Sequence, residues 1–100
     1  MDYLLFTYPN CDKCEALKDY LQKPEAVGVV ETVASAPLRG EELSLAQKEG
    51  KLRVREFLGR IKRDEKGAII LPIFVLREEG RVLGIFNNQV ELDGWLRSRV

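Results

Sequence analysis

The chain contains no histidine. That removes every Ser–His and Cys–His nucleophilic arrangement, and every zinc site that draws on imidazole. Net charge is also missing, because sixteen basic residues are matched by sixteen acidic ones. The chain as a whole therefore has no electrostatic pull toward nucleic acid or an acidic membrane. Long apolar runs are missing too. The longest, Ala68 to Leu76, is interrupted by Pro72 and falls far short of the ~20 residues that span a bilayer. Met1-Asp2 opens the sequence without a basic segment leading into an apolar one, so no signal peptide is read and a cytoplasmic location is expected. Thiols are kept reduced in that compartment, where a cysteine pair is more often catalytic or metal-binding than a staple. A length of 100 residues, 45% apolar and 32% charged, suits one domain (1–100) with a single core.

The two cysteines that are present stand two residues apart, in Tyr8-Pro9-Asn10-Cys11-Asp12-Lys13-Cys14. The apolar run Tyr3 to Tyr8 leads into this stretch, and a helical pattern follows from Glu15 to Leu21. A helix start supplies unpaired backbone N–H groups and a positive dipole end, both of which stabilise a thiolate on the first cysteine. The spacing sets the second thiol one turn away, within reach of a mixed disulfide on the first. Cys11 is thus the candidate nucleophile and Cys14 the candidate resolving thiol. Free cysteine has a pKa of ~8.5, which such helix starts lower to ~3.5–7. Asp12 opposes that lowering and Lys13 assists it, so a moderately acidic thiolate is expected. An inert buried pair and half of a metal site are the competing readings. Two thiols leave a four-ligand zinc site incomplete within one chain; a dimer pooling four thiolates around zinc or an iron–sulfur cluster stays open.

In chain order, Tyr3 to Tyr8 reads as a buried strand, broken by Pro9-Asn10. The helix after Cys11 ends before Pro24. Val27 to Val33 is rich in β-branched residues and reads as the second strand, which makes a β-α-β unit with a parallel pair. Ser35-Ala36-Pro37 and Gly40 mark a connection. A helical pattern is read from Glu41 to Gly50 and again through Val54, Phe57, Leu58 and Ile61, with Gly50 bending or dividing it and Gly67 ending it. Pro72 cannot donate to a sheet ladder, so it is expected to open a third strand, Ile73 to Leu76. Glu78 to Arg81 turns into a fourth strand, Val82 to Phe86, and Asn87-Asn88 caps a last helix through Val90, Leu92, Trp95 and Leu96.

This order, β-α-β-α-β-β-α, with Cys-x-x-Cys at the first helix start and a proline opening the third strand, resembles the thioredoxin fold along the whole chain. The expected class is therefore α/β, a four-stranded mixed sheet flanked by helices. The size and Leu71-Pro72-Ile73-Phe74-Val75 look most like the glutaredoxin branch. That resemblance implies a cis bond at Pro72 and a substrate contact through the Leu71 backbone. It also implies thiol–disulfide exchange on Cys11 and Cys14, with no bound cofactor. Several positions depart from glutaredoxins that use glutathione. Asp12-Lys13 stands where a Pro-aromatic pair is usual, and Tyr8 where a basic residue is usual. Ile70-Leu71-Pro72 replaces Thr-Val-Pro, and Gly84-Ile85-Phe86-Asn87-Asn88 replaces a Gly-Gly-acidic motif. The electron donor implied is a thioredoxin-type reductase, or glutathione despite these departures. The substrate implied is a disulfide in a protein or a small thiol compound, and the protein is expected to be a monomer. The opening also resembles arsenate reductases and Spx-type regulators, but that branch carries Arg where this chain has Leu71. A module that keeps the fold without catalysis is a third reading.

Tyr8, Pro9 and Lys13 join Leu71 and Pro72 as candidate substrate contacts. Plain readings stand beside them: Tyr8 as packing, Pro9 as a strand breaker, Lys13 as a solvated side chain. The basic segment Lys51 to Lys66 reads as the wet side of an amphipathic helix, with docking of an acidic protein as the sharper alternative. It has no interleaved aromatic platform for nucleic acid. Trp95 reads as a core or rim aromatic.

Overall fold

The computed structural model describes residues 1–34 and 38–99. Its centre is strand β1 (Asp2–Thr7), buried from Leu4 onward. β1 pairs in parallel with β2 (Arg39–Ser44) and antiparallel with β3 (Ile73–Glu78), which pairs antiparallel with β4 (Arg81–Phe86). The sheet order is β2-β1-β3-β4. Two helices, α1 (Asp12–Gln22) and α2 (Pro24–Ala34), fill the crossover from β1 to β2. Helix α3 (Lys48–Val54) continues as a short 3-10 turn at Arg55–Phe57, and α4 (Gln89–Arg97) follows β4.

Side-chain alternation along β1 divides the core into two layers. Leu4 and Phe6 face Leu43, Val54, Phe57, Ile61, Ile73 and Val75. Leu5 faces the other way, toward Leu17, Val30, Phe74, Leu76, Leu92 and Leu96. Each such side chain contributes about 1.5–3 kcal/mol by leaving water. The sheet is therefore covered on one face by α1, α2 and α4 and on the other by α3 and its 3-10 turn. The mixed four-stranded sheet between helices is the architecture expected from the sequence. Glu79 and Gly80 both take positive φ, at 50° and 81°, as a two-residue hairpin turn between β3 and β4 requires.

Two stretches differ from their expected structure. Val27 to Val33 is not a strand but lies inside α2. Pro24 supplies the preset φ of a first helical residue. Ala26 and Val30, four apart, are both buried, with Val29 and Val33 packed beside them. One helical stripe against α1 and α4 thus outweighs the β preference of branched side chains. The second strand falls instead on Arg39–Ser44, where a connection at Gly40 and a helix from Glu41 were expected. Leu43 is its buried side chain, while Arg39, Glu41 and Glu42 stay exposed on the sheet edge. The connection expected at Ser35-Ala36-Pro37 lies outside the described residues.

Gly50 does not divide a helix; it is buried inside α3. A Cβ there would run into the Ser44 carbonyl, so glycine lets α3 lie against the end of β2. The amphipathic run beyond it is less regular than its spacing suggests. Val54, Phe57 and Ile61 are buried as expected, but helix gives way to the 3-10 turn and then to turns before Gly67. Among the described residues no helix is long and apolar enough to cross a membrane.

Candidate functional site

The end of β1 sets the site. Phe6 pairs with Leu43 on β2 and with Ile73 on β3. The turn leaving β1, the turn leaving β2 and the residues entering β3 therefore open at one end of the sheet. The Thr7 carbonyl is closed off by the Leu45 N–H at 2.8 Å. Tyr8, Pro9 and Asn10 then swing outward, all exposed. Asn10 makes the reversal with φ of 61°, a left-handed conformation that asparagine tolerates better than most residues.

Cys11 is the N-cap of α1. Its Sγ accepts the Cys14 N–H at 3.2 Å, a position at which orphan helix donors face the sulfur. The two cysteines form a disulfide, with Cα atoms 5.2 Å apart. They are not equivalent. Cys11 is partly exposed, whereas Cys14 is 1% exposed. Of the pair, only Cys11 is open to solvent. Asp12 and Lys13 between them are exposed, and Lys13 makes no ion pair among the described residues.

The second wall is the entry to β3. The Leu71–Pro72 bond is cis, as the resemblance implied. Pro72 is fully buried and Leu71 half-buried. This loop is tied down from β4. Asn87, 4% exposed, donates its side-chain amide to the Ile70 carbonyl at 2.9 Å and the Pro72 carbonyl at 3.0 Å. Its Oδ1 is buried with no partner among the described residues, a condition that costs about 1–3 kcal/mol.

Asn87 also begins the cap of α4. Its N–H donates to Glu91 Oε1 at 3.1 Å, and the Glu91 N–H donates to the N-cap Asn88 Oδ1 at 2.9 Å, a variant of the capping box in which the acidic side chain reaches back to the residue before the cap. Lys62 Nζ reaches Glu91 Oε2 at 3.1 Å. Burial pushes the Glu91 carboxyl up, but the Asn87 N–H, the Lys62 ammonium and the Asn88 amide outweigh it and hold it below the ordinary value. The Ile70 N–H in turn donates to the Lys62 carbonyl at 3.4 Å. Ile70, Asn87, Glu91 and Lys62 thus form a closed ring beside Pro72.

Of the residues singled out in the sequence, Tyr8, Pro9 and Cys11 fall in the turn leaving β1, Lys13 and Cys14 in the first turn of α1, and Leu71 and Pro72 in the loop entering β3, all at this end of the sheet. Tyr8 is 52% exposed, so it is not core packing. The basic segment does not form one helix face: Lys51 and Arg53 are on α3, and Arg60 to Lys66 are on the following turns. Trp95 is half-buried at the rim, with the Arg99 guanidinium 3.9 Å from its ring centre. The sequence places Asn87 at a helix cap and in the stretch that replaces a Gly-Gly-acidic motif, not as a clamp on the Pro72 loop. The one signal for more was a pair of asparagines closing an apolar strand. Among the described residues no three His, Cys, Asp or Glu side chains converge as metal ligands.

No protein-family model and no curated relative matches the chain. Solved structures do. One is described as the structure of a malarial protein, 14% identical with a TM-score of 0.60, covering 99% of this chain and 96% of that one. Another is the solution structure of a thioredoxin from Thermus thermophilus, 17% identical with a TM-score of 0.58, covering 97% and 71%. A third is the C-terminal domain of Neisseria meningitidis DsbD in the reduced form, 16% identical with a TM-score of 0.52, covering 98% and 79%. At such identities likeness carries architecture and nothing finer: the chain has a thioredoxin-like fold.

Proposed function

We propose that the protein is a thiol–disulfide oxidoreductase of glutaredoxin-like type. The observation that carries the reading is the unequal cysteine pair at the start of α1, with Cys11 accessible and Cys14 buried behind it. The Cys11 thiolate attacks a substrate disulfide, forms a mixed disulfide and releases one thiol. Cys14 then attacks Cys11 Sγ, releases the second thiol and leaves Cys11–Cys14 oxidised. Two electrons pass from the dithiol to the substrate, and an external reductant restores them. On this reading the substrate meets Tyr8, Pro9 and Lys13, neighbours of Cys11 in the chain, and the Leu71 backbone and Pro72 from the loop at the same end of the sheet.

Glutathione is the weaker candidate for that reductant, and a thioredoxin-type reductase the stronger. The departures at Tyr8, Asp12-Lys13 and Ile70-Leu71 support that ranking.

The test is reduction of a protein disulfide with dithiothreitol as donor. Cys11→Ser should lower turnover to the uncatalysed dithiothreitol background, and Cys14→Ser, pre-reduced and desalted free of dithiothreitol, should accumulate a covalent adduct with the substrate visible by mass spectrometry. Turnover above that background in Cys11→Ser would sink the reading. Equilibration against graded dithiothreitol should give a two-electron couple near ~−200 to −270 mV.

A further inference from the structure

We infer that Asn87 is a positioning residue that presents the Leu71 backbone to extended polypeptide disulfides, an assignment that rests on the oxidoreductase reading above. Both amide hydrogens of Asn87 are committed to the carbonyls of Ile70 and Pro72, the residues flanking Leu71. Leu71 itself precedes the β3 ladder, and its N–H and C=O make no hydrogen bond among the described residues. The chain is therefore pinned on both sides of one free peptide edge. That edge lies at the same end of the sheet as Cys11, because Phe6 and Ile73 are ladder partners.

The choice of residue supports a role beyond packing. A buried leucine of similar volume would carry no orphan oxygen, whereas Asn87 Oδ1 has no partner among the described residues. The two N–H groups are what asparagine adds. The ring through Glu91, Lys62 and Ile70 holds the Asn87 backbone as well, so the clamp is anchored at both ends. A polypeptide that hydrogen-bonds to the Leu71 edge needs that edge in a fixed attitude. A small symmetric disulfide has no backbone to pair there and needs only the Cys11 sulfur.

Two probes separate these requirements. One is a short synthetic peptide whose single cysteine is a mixed disulfide with nitrothiobenzoate; the other is the symmetric nitrothiobenzoate disulfide. Pre-reduced, desalted protein attacks either one. Cys11 bonds to one sulfur, the coloured thiolate leaves, and Cys14 then closes onto Cys11 to free the remaining thiol. In Asn87→Leu and in the near-isosteric Asn87→Asp, the second-order rate with the peptide should fall about tenfold, the scale of one or two net hydrogen bonds. The rate with the symmetric disulfide should stay within about twofold of wild type. Thermal unfolding monitors the folded fraction. Equal losses with both probes, no loss with either, or failure of both variants to fold would overturn the assignment and leave Asn87 a structural residue. If Cys11→Ser releases the coloured thiolate as fast as wild type, the oxidoreductase reading itself falls and takes this one with it.

Discussion

Cys11 closes the first turn of α1 and, on the proposed function, also carries the reactive sulfur; substitution separates the two tasks. Serine keeps an acceptor at the N-cap, whereas alanine removes it. In reduced protein, Cys11→Ser should therefore leave stability unchanged or slightly raised, while Cys11→Ala should cost about 0.5–2 kcal/mol. Both should be inactive. Urea unfolding in dithiothreitol, run beside the reductase assay, checks the pair. The other capped helix offers a comparison free of redox chemistry. Asn88 Oδ1 accepts the Glu91 N–H, so Asn88→Ala should lower stability by about 1 kcal/mol and leave the Cys11–Cys14 potential unmoved.

At the scale of elements, α2 is where sequence and structure part. Val27 to Val33 carries a strong strand signal, yet it is helical because Ala26 and Val30 bury one stripe against neighbouring helices. Gly28 tests that assignment directly. It is exposed, inside the helix, and a Cβ there meets nothing within 4 Å. Gly28→Ala should stabilise the protein by about 0.5–1 kcal/mol, raising Tm by a few degrees, and Gly28→Val should gain less; in a strand valine would be the better of the two. Gly50→Ala should do the opposite, because its Cβ would overlap the Ser44 carbonyl. The elements that bound the site were legible where local chemistry decides them: β1 from its apolar run, α1 from Cys11 and Pro24, β3 from Pro72, α4 from Asn88. The second strand was not legible. Its Arg39-Gly40-Glu41-Glu42 occupies an exposed edge, so no alternation of apolar side chains announces it. Asn87 was hidden for a related reason. Its partners, Ile70 and Pro72, are brought to it by the β3–β4 hairpin and by no local pattern.

For the whole molecule, the titrating groups set how stability varies with pH. Glu91 and Asp93 both have folded pKa values below their ordinary ones. In Glu91 burial is outweighed by Asn87, Lys62 and Asn88; Asp93 is lowered by Tyr20 and Arg97. Their contributions are fully present above the ordinary carboxylate values of 4.5 and 3.8 and are lost as pH falls through the folded ones. Tyr20 works from the other side. Burial and then the hydrogen bond to Asp93 raise its pKa above 10.0, so its contribution holds below that pH and is lost as pH rises through the folded value. Urea midpoints should therefore drop below pH ~4 and above pH ~10. Glu91→Gln should flatten the acid limb. Tyr20→Phe should flatten the alkaline limb only in part, because burial and then Glu42 raise Tyr3 in the same direction. The position of β1 has a consequence for synthesis. The central strand and both cysteines are synthesised before the rest of this domain, but β1 pairs with β3 some seventy residues later in the chain, and Asn87 emerges later still. A nascent chain thus carries both thiols before the Leu71–Pro72 loop has been made. On the proposed function, the order of translation would keep the dithiol without its specificity until the last hairpin is complete.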